Sequence, residues 1–431
     1  MHVAVLGAGV IGVSSAWYLA RAGHEVTLIE RHDAAGEETS FANGGQISVS
    51  HAAPWANPHV PRKVLRWLGR EDAPLLFRLR ADPAQWLWAL RFLRECTRAR
   101  TSHNIRQLVA LGLYSRASLQ ALRAETGIRY DDLQRGILHF FTSEREYAAA
   151  HDSARIMCEQ GCDIEMVSAA RCVEIEPALA GVPLVGGSYS ATDESGDAHK
   201  FTQELARLAV HRGVRLRTGN IEALLAEGGR ISGVRLGREV LRAEAYLVCL
   251  GSYSPLLLRP LGIRLAIYPL KGYSVTLPVS DARKAYSVSL TDDEHKLVFS
   301  RLGNRLRVAG TAELDGYNTQ LNEARCQAIL GRVLALFPGA GDAGRARFWA
   351  GLRPATPSNI PFIGATGFPN LYLNTGHGTL GWTHACGSGR AIAEIMSGRR
   401  PEIDFAFTGV SPDRPTLAAR RAATPARLRL P

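Results

Sequence analysis

Three glycines near the start of the chain have the spacing of a dinucleotide-binding turn. Gly7, Gly9 and Gly12 directly follow the apolar run His2–Leu6, and Val13–Ala22 has the apolar spacing of a helix. Gly7 permits a tight turn, Gly9 lets a pyrophosphate approach the backbone, and Gly12 lets helix and strand pack closely. The free N–H groups at the start of the helix would then bind the phosphates.

An acidic residue completes this signature at the end of the second predicted strand. Glu30 closes the segment Glu25–Glu30, where a carboxylate can accept hydrogen bonds from the ribose hydroxyls of an adenosine. A carboxylate favours a free 2′-hydroxyl over a 2′-phosphate, so the motif predicts FAD or NAD rather than NADP. The motif alone does not distinguish FAD from NAD.

Arg353 is the candidate for binding a substrate. It ends the aromatic and apolar segment Phe348–Arg353 and precedes Pro354, which stiffens the turn. A guanidinium at this position can hold a carboxylate through two parallel hydrogen bonds. The alternative is an ordinary surface arginine, a common residue in this chain.

Composition limits the class of protein. A chain of 431 residues is expected to form two to three domains, and an apolar fraction of 46% is normal for a globular protein. Its strongly apolar windows are too short to cross a hydrocarbon layer of about 30 Å. Val3 already belongs to the first predicted strand, so we expect no cleaved signal and a location on the cytoplasmic side.

Cysteines and charge narrow the chemistry further. The seven cysteines are odd in number and scattered, which predicts reduced thiols, and no metal cluster is expected. The formal charge is +11, carried mostly by arginines spread through predicted helices without a nucleic-acid-binding motif. This charge favours an anionic substrate or an anionic membrane surface over nucleic acid.

The order of predicted elements indicates an α/β protein with two interleaved domains. Segments 1–60, 185–262 and 345–410 are expected to form a Rossmann-like cofactor domain. Segments 61–184 and 263–344 are expected to form a substrate domain of helices and a mixed or antiparallel sheet. We expect the basic, proline-containing tail 411–431 to be disordered.

From Val3 to about Gly398 the chain resembles the bacterial FAD-dependent D-amino acid dehydrogenases of the D-amino acid oxidase superfamily. Six motifs carry the resemblance besides the glycine turn: Thr39–Ser48, Ala53–Ala56, Gly251–Ser254, Tyr268–Ser274, Gly351–Pro357 and Leu373–Thr383. The resemblance implies a glutathione-reductase-like FAD domain. No cysteine lies between Cys326 and Cys386, which leaves the last two motifs without a thiol, so we predict that FAD is held without a covalent bond.

The resemblance also implies a set of cofactor contacts around the glycine turn and the later glycine-containing motifs. The residues expected to contact FAD are Val3, Ala4, Val5, Leu6, Gly7, Ala8, Gly9, Val10, Ile11, Gly12, Val13, Ser14, Ser15, Ala16, Trp17, Glu30, Arg31, Thr39, Ser40, Asn43, Gly44, Gly45, Gln46, Gly251, Ser252, Gly376, His377, Gly378, Thr379, Leu380 and Gly381. For His377, between two glycines, we favour a packing or hydrogen-bonding role over that of a base.

The implied reaction is oxidative deamination of D-amino acids, with small neutral ones such as D-alanine favoured. A hydride leaves Cα for flavin N5, electrons pass to a quinone-type acceptor, and the imino acid hydrolyses to a 2-oxo acid and ammonia. The resemblance assigns the carboxylate to Arg353. Tyr273 is a further candidate for contacting the carboxylate or a lid, and Lys271 for contacting the substrate or a flavin-linked water.

Other functions stay open at this point. They are a glycine or D-proline oxidase that uses oxygen, a D-hydroxyproline dehydrogenase, an NAD-dependent dehydrogenase and a non-catalytic flavin protein. A quinone acceptor would bring the protein to the membrane surface. Tryptophans and arginines share the region 62–100, which predicts either an interfacial surface or core packing: Arg66, Trp67, Trp86, Trp88, Leu90, Arg91, Phe92, Arg94, Arg98 and Arg100.

Overall fold

A mostly parallel sheet carries the glycine turn. The structure is a computed structural model that describes residues 1–61, 64 and 75–409. Across the sheet the strands are β19 (Phe362–Ala365), β20 (Leu371–Thr375), β13 (Ala245–Val248), β1 (His2–Leu6), β2 (Glu25–Glu30) and β9 (Arg215–Thr218). All neighbours are parallel except β19, which runs antiparallel to β20.

The centre of this sheet explains the sequence pattern at the start of the chain. β1 lies between β13 and β2, and its residues Val3 to Leu6 have no exposed surface. A parallel strand buried on both faces requires this continuous apolar run. The carboxyl end of β1 leads directly into the glycine turn, which is where open α/β sheets bind ligands.

Helices cover one face of this sheet, and a small antiparallel sheet covers the other. On the helical side four helices pack together above β1 and β2: α1 (Val10–Arg21), α3 (Arg98–Thr126), α6 (Ala198–His211) and α9 (Gly381–Met396). The opposite side carries β10 (Ile221–Glu227), β11 (Arg230–Leu236) and β12 (Glu239–Leu241). The helices are α1 (Val10–Arg21), α2 (Pro83–Glu95), α3 (Arg98–Thr126), α4 (Glu144–Glu159), α5 (Ala169–Ile175), α6 (Ala198–His211), α7 (Ser254–Leu258), α8 (Glu323–Leu336) and α9 (Gly381–Met396).

A second, mixed sheet forms the substrate side of the molecule. In order its strands are β18 (Arg347–Ala355), β14 (Tyr268–Pro278), β17 (Arg305–Leu314), β16 (Leu297–Leu302), β15 (Ser289–Asp292), β5 (Ile137–Phe141), β7 (Gly186–Ser190) and β6 (Glu165–Ser168). β4 (Leu75–Phe77) pairs with β17, and the short strands β3 (Gln46–Ile47) and β8 (Glu194–Ser195) pair separately. Helices α5 and α8 pack their apolar residues against one face of this sheet.

The two sheets do not follow the predicted domain boundaries. β7 and β18 lie in segments predicted for the cofactor domain, yet both pair with strands of the second sheet. β18, which includes Phe348–Arg353, runs antiparallel to β14. α3 was assigned to the substrate domain but packs against α9 on the first sheet. The chain thus crosses between the two sheets more often than the predicted domain boundaries allow.

Helices α2 and α3 follow the short strand β4 along the chain. Helix α3 ends at Gly127, whose φ of 64° is left-handed. Apart from residue 64, the segment 62–74 lies outside the described residues, and so does the tail 411–431. Within the described chain no helix has the length and apolar composition to cross a bilayer.

Candidate active site

A cavity of about 1560 Å³ lies between the two sheets. It is larger than pockets for drug-sized ligands, which have volumes of about 300–1,000 Å³, so it has room for an extended cofactor and a substrate. The first sheet supplies Gly7, Gly9 and Glu30, and the second supplies Gly272 and Arg353. The predicted cofactor turn and the predicted substrate arginine therefore open into the same space.

The glycines of the turn have different physical roles. A Cβ on Gly12 would lie 1.8 Å from the carbonyl oxygen of Gly7, so this glycine is required by the packing of α1 against the turn. Gly7 has a φ of 101°, which side chains rarely adopt. A Cβ on Gly9 would meet only the hydroxyl of Ser40, at 3.6 Å. The protein's own packing does not require Gly9, so its lack of a side chain fits a ligand that approaches the backbone.

Glu30 lies at the carboxyl end of β2, beside the turn. Its Oε2 accepts a hydrogen bond from the backbone N–H of Ala8 (2.8 Å), and its Oε1 accepts from those of Arg31 (2.9 Å) and His32 (3.1 Å). These bonds fix the carboxylate at the cavity wall. Carboxylate oxygens accept more than one hydrogen bond, so the group can also bind ribose hydroxyls.

The predicted cofactor residues divide into two groups by position. One group borders the cavity: Gly7, Gly9, Val10, Ile11, Glu30, Arg31, Thr39, Ser40, Asn43, Gly44, Gly45, Gln46, Gly251, Ser252, Gly376, His377, Gly378, Thr379, Leu380 and Gly381. The other belongs to the buried strand β1, the turn or the body of α1, away from the lining: Val3, Ala4, Val5, Leu6, Ala8, Gly12, Val13, Ser14, Ser15, Ala16 and Trp17. The residues of the second group support the turn from the side away from the cavity. This placement does not favour the direct contacts with FAD that were predicted for them.

A second set of backbone donors faces the cavity at the start of α9. The residues from Gly376 to Gly381 line it, and Gly376 and Gly378 have positive φ values of 85° and 53°. The His377 side chain is buried, and its Nε2 has no hydrogen-bond partner among the described residues. Burial, together with nearby His384, lowers the pKa of His377 well below its usual value, so the imidazole is neutral. A buried polar atom without a partner at this wall fits a bound cofactor.

Arg353 is held in place but has no anionic partner in the part of the chain that the structure describes. Its Nη1 donates a hydrogen bond to the carbonyl oxygen of Thr311 (2.9 Å), and no carboxylate of the described residues forms an ion pair with it. Burial lowers the pKa of the Arg353 guanidinium to about 10, so it stays charged at neutral pH. The side chain is half-buried and lines the cavity. Charged groups in such places are usually paired, and the remaining donors of Arg353 fit an anionic ligand.

The structure does not place Lys271 and Tyr273 with Arg353. The Lys271 ammonium is 2% exposed and pairs with Glu313 (3.0 Å) and Asp315 (3.5 Å), while the Tyr273 hydroxyl donates to Glu313. Gly272, between them, lies beneath the Arg353 guanidinium. Because successive strand residues point to opposite faces, both side chains lie on the face away from that guanidinium. Tyr273 still borders the cavity, so the predicted contacts of Lys271 and Tyr273 stay predictions, which their pairing with Glu313 does not favour.

Thr311 is a residue that sequence reasoning missed. Its φ of 50° is rare for a β-branched residue, and it turns the carbonyl towards Arg353. Its hydroxyl is buried without a partner among the described residues, and the residue lines the cavity. Nothing in the local sequence indicates this conformation, because it follows from a shift of register between β14 and β17.

Three further side chains meet at the cavity wall from distant parts of the chain. His139 Nδ1 lies 2.8 Å from Asp293 Oδ2, and the His51 and His139 rings stack at 5.2 Å. Burial lowers the pKa of His51 to about 4. Lys296 lies 3.2 Å from the other oxygen of Asp293, so both carboxylate oxygens already have partners. Although no metal cluster was expected, these residues could hold an ion, but a hydrogen-bonded network fits them better.

Covalent attachment of a cofactor through sulfur finds little support in the cavity wall. Cys249 is the cysteine among the lining residues, and its thiol is buried 4.0 Å from the Ser15 hydroxyl in the core. Burial raises the pKa of this thiol to about 12, so it is not a reactive thiolate. Non-covalent binding of FAD stays a prediction.

Comparison with known families decides the class of protein. A family described as FAD-dependent oxidoreductases, abbreviated DAO, matches residues 2–395. The chain belongs to this family. Membership in the DAO family confirms the predicted FAD cofactor over NAD and the predicted fold class. The glycine turn, Glu30 and the residues at the start of α9 border the cavity, and their predicted contacts with FAD stay predictions.

Curated relatives of the DAO family match almost the whole chain. A D-amino acid dehydrogenase of Dechloromonas aromatica is 60% identical over 415 residues, 94% of this chain and 99% of the relative. A D-amino acid dehydrogenase of Paramagnetospirillum magneticum is 55% identical, over 95% of this chain and 98% of the relative. The resemblance identified from the sequence motifs is confirmed.

Solved structures of the DAO type share the fold at lower identity. The glycine oxidase of Bacillus cereus superposes with a TM-score of 0.71 at 22% identity, covering 93% of this chain and 96% of that one. An L-proline dehydrogenase of P. horikoshii has a TM-score of 0.74 at 18% identity, covering 93% and 94%. At these identities the likeness concerns architecture alone.

Proposed function

We propose that this chain catalyses the FAD-dependent oxidative deamination of D-amino acids to 2-oxo acids and ammonia, with a quinone-type electron acceptor. The observation that carries the proposal is the Arg353 guanidinium, which lacks an anionic partner among the described residues and opens into the cavity of the cofactor turn. A substrate carboxylate would supply that partner. Relatives of 55–60% identity, named as D-amino acid dehydrogenases, support the substrate class.

The residues of the chain bind and orient the substrate in this proposal. Arg353 holds the carboxylate by two parallel hydrogen bonds, while the Thr311 carbonyl fixes the guanidinium. FAD, which the glycine turn, Glu30 and the start of α9 would hold, would supply the two-electron oxidation of the substrate. The backbone N–H groups at the start of α9 stabilise negative charge in the cavity. Because the amine is neutral when the Cα–H bond breaks, its lone pair forms the C=N bond of a protonated imine. Water then hydrolyses this cation to the 2-oxo acid and ammonium.

The substrate and acceptor are tested by turnover of a panel of amino acids. We expect D-alanine and other small neutral D-amino acids to reduce a quinone dye, and their L-enantiomers to be inactive. Glycine, D-proline and D-hydroxyproline belong in the panel, with oxygen as the alternative acceptor. If the protein prefers glycine or D-proline as substrate and oxygen as acceptor, its activity is that of an amine oxidase and not of a dehydrogenase. Turnover of L-enantiomers alone would refute the proposal.

We further propose that α2 brings the protein to an anionic membrane surface, where a lipid-soluble quinone resides. Its outer face is apolar: the exposed fractions are 46% for Trp86, 59% for Leu90 and 52% for Leu93. Arg91 and Arg94 follow on the same helix, which suits contact with anionic headgroups. The α2 apolar face comprises Trp86, Leu87, Leu90 and Leu93.

The opposite side of α2 packs into the protein. Trp88 is buried, donates its indole N–H to the carbonyl of Ala355 (2.8 Å), and stacks with Phe92 at 5.2 Å. Trp88 is buried and Phe92 is partly buried against it, so neither side chain belongs to the exposed face of α2. Arg66 and Trp67 lie outside the described residues.

The α2 apolar face is tested by co-sedimentation with vesicles. We expect binding to vesicles that contain anionic lipid, with affinity falling as salt screens the arginines. Leu90→Glu should weaken binding about tenfold or more, because burying a leucine contributes roughly 1.5–3 kcal/mol. Val210→Glu, an exposed apolar position on α6, is the matched control. Equal binding by wild type and L90E, or none at low salt, would exclude this surface.

A further inference from the structure

Two facing glycines form a flat floor in the second sheet, and two large side chains lie on it. Gly272 of β14 pairs directly with Gly351 of β18. A Cβ on Gly272 would lie 2.0 Å from Nη1 of Arg353, and a Cβ on Gly351 would lie 2.0 Å from Cη2 of Trp349. The guanidinium and the indole therefore occupy the spaces that side chains at 272 and 351 would fill.

The strand geometry places Trp349 beside the substrate arginine. Trp349, Gly351 and Arg353 are alternate residues of β18, so they share one face of the sheet, and all three line the cavity. Directly paired residues of neighbouring antiparallel strands are only about 5 Å apart. The indole above Gly351 and the guanidinium above Gly272 are consequently neighbours.

A second aromatic residue borders the indole. The Phe41 ring, from the loop that carries the predicted cofactor contacts Thr39 and Ser40, lies 6.4 Å from that of Trp349, centroid to centroid. Phe41 also makes an edge contact with His199 at 4.8 Å. The indole therefore lies between Arg353 and an aromatic contact from the cofactor loop.

We infer that Trp349 is the wall that limits the size of the substrate side chain. The inference rests on the proposed function, because it takes the Arg353 guanidinium as the carboxylate site. A carboxylate held there carries its Cα and side chain to within reach of the neighbouring indole. The Trp349 indole fills the space beside the Arg353 guanidinium. Small substrate side chains therefore fit, whereas large aromatic side chains would clash with the indole. Trp349 is thus a specificity-determining residue.

The test compares neighbouring aromatic residues on opposite faces of β18. In the holoenzyme, Trp349→Leu should raise the ratio of kcat/KM for D-phenylalanine to that for D-alanine at least about tenfold, the scale on which apolar pockets discriminate. Trp349→Phe should shift the ratio in the same direction by less. Phe348→Leu, which changes the aromatic side chain packed on the other face, should leave the ratio unchanged.

A binding measurement separates this inference from the proposed reaction. Acetate and phenylacetate are titrated into the FAD-loaded proteins, and the change in flavin absorbance reports binding. Trp349→Leu should tighten phenylacetate relative to acetate at least about tenfold. If wild type oxidises no D-amino acid, the proposed function fails, but this titration still tests the wall. An unchanged or lower preference for the larger ligand would overturn the inference. If Trp349→Leu does not bind FAD, the same titration of Trp349→Phe tests the inference instead.

Discussion

Replacing Arg353 with alanine is expected to lower kcat/KM for D-amino acids by a factor of roughly 30 to 150. This corresponds to about 2 to 3 kcal/mol, the scale for losing a charge-assisted hydrogen-bonded pair. The guanidinium is held by the Thr311 carbonyl and has no described carboxylate partner, so its free donors are available to the substrate. Arg353→Lys should recover little activity, because an ammonium cannot form two parallel bonds in one plane.

A matched control separates charge from position in this experiment. Arg347 lies on the same strand and is exposed outside the cavity lining, so Arg347→Ala removes the same charge without touching the site. We expect near wild-type kcat/KM for this variant and normal FAD content in all three. Wild-type kcat/KM in both R353A and R353K would show that the carboxylate binds elsewhere.

The cofactor site was largely predictable because its information is local. The turn, its helix and Glu30 lie within thirty residues, and each glycine has a backbone reason that spacing alone reveals. The structure adds the separate reasons for Gly12 and Gly9. Gly12 avoids a clash with Gly7, whereas Gly9 leaves space on the cavity side.

The substrate side was harder to predict because it depends on which face of a strand meets the cavity. Lys271 and Tyr273 are alternate residues of β14, so their side chains lie on one face of the strand. Only the pairing of β14 with β17 and β18 determines that this face contacts Glu313. A shift of register beside Tyr273 accompanies the left-handed Thr311. No local pattern encodes such a shift.

Long-range assembly also hid residues that border the cavity. His51, His139 and Asp293 come from a loop, β5 and the turn after β15, and they meet only when the second sheet forms. The position of β18 also depends on the assembly of the second sheet. Its sequence resembles a buried strand of either sheet, and its place beside β14 brings Arg353 and Trp349 over the paired glycines.

Replacing Gly9 with valine is expected to abolish FAD loading while the chain still folds. Gly9 has φ −70° and ψ 176°, an extended conformation that valine adopts readily, and a Cβ there would meet only the Ser40 hydroxyl. The added methyl groups would extend into the space for the pyrophosphate. We expect FAD affinity to fall more than about tenfold, or about 1.4 kcal/mol, measured as the flavin-to-protein ratio after desalting.

Two glycine variants show whether this loss is specific to the ligand. Gly12→Ala puts a Cβ 1.8 Å from the Gly7 carbonyl oxygen, so it should lower the Tm of the FAD-free protein itself. Gly331→Val lies on the exposed side of α8, where a Cβ meets nothing within 4 Å, and should keep full FAD content. Gly9→Val should match the wild-type FAD-free protein in Tm yet bind little FAD. Stoichiometric FAD in G9V would mean that the pyrophosphate does not pass over this turn.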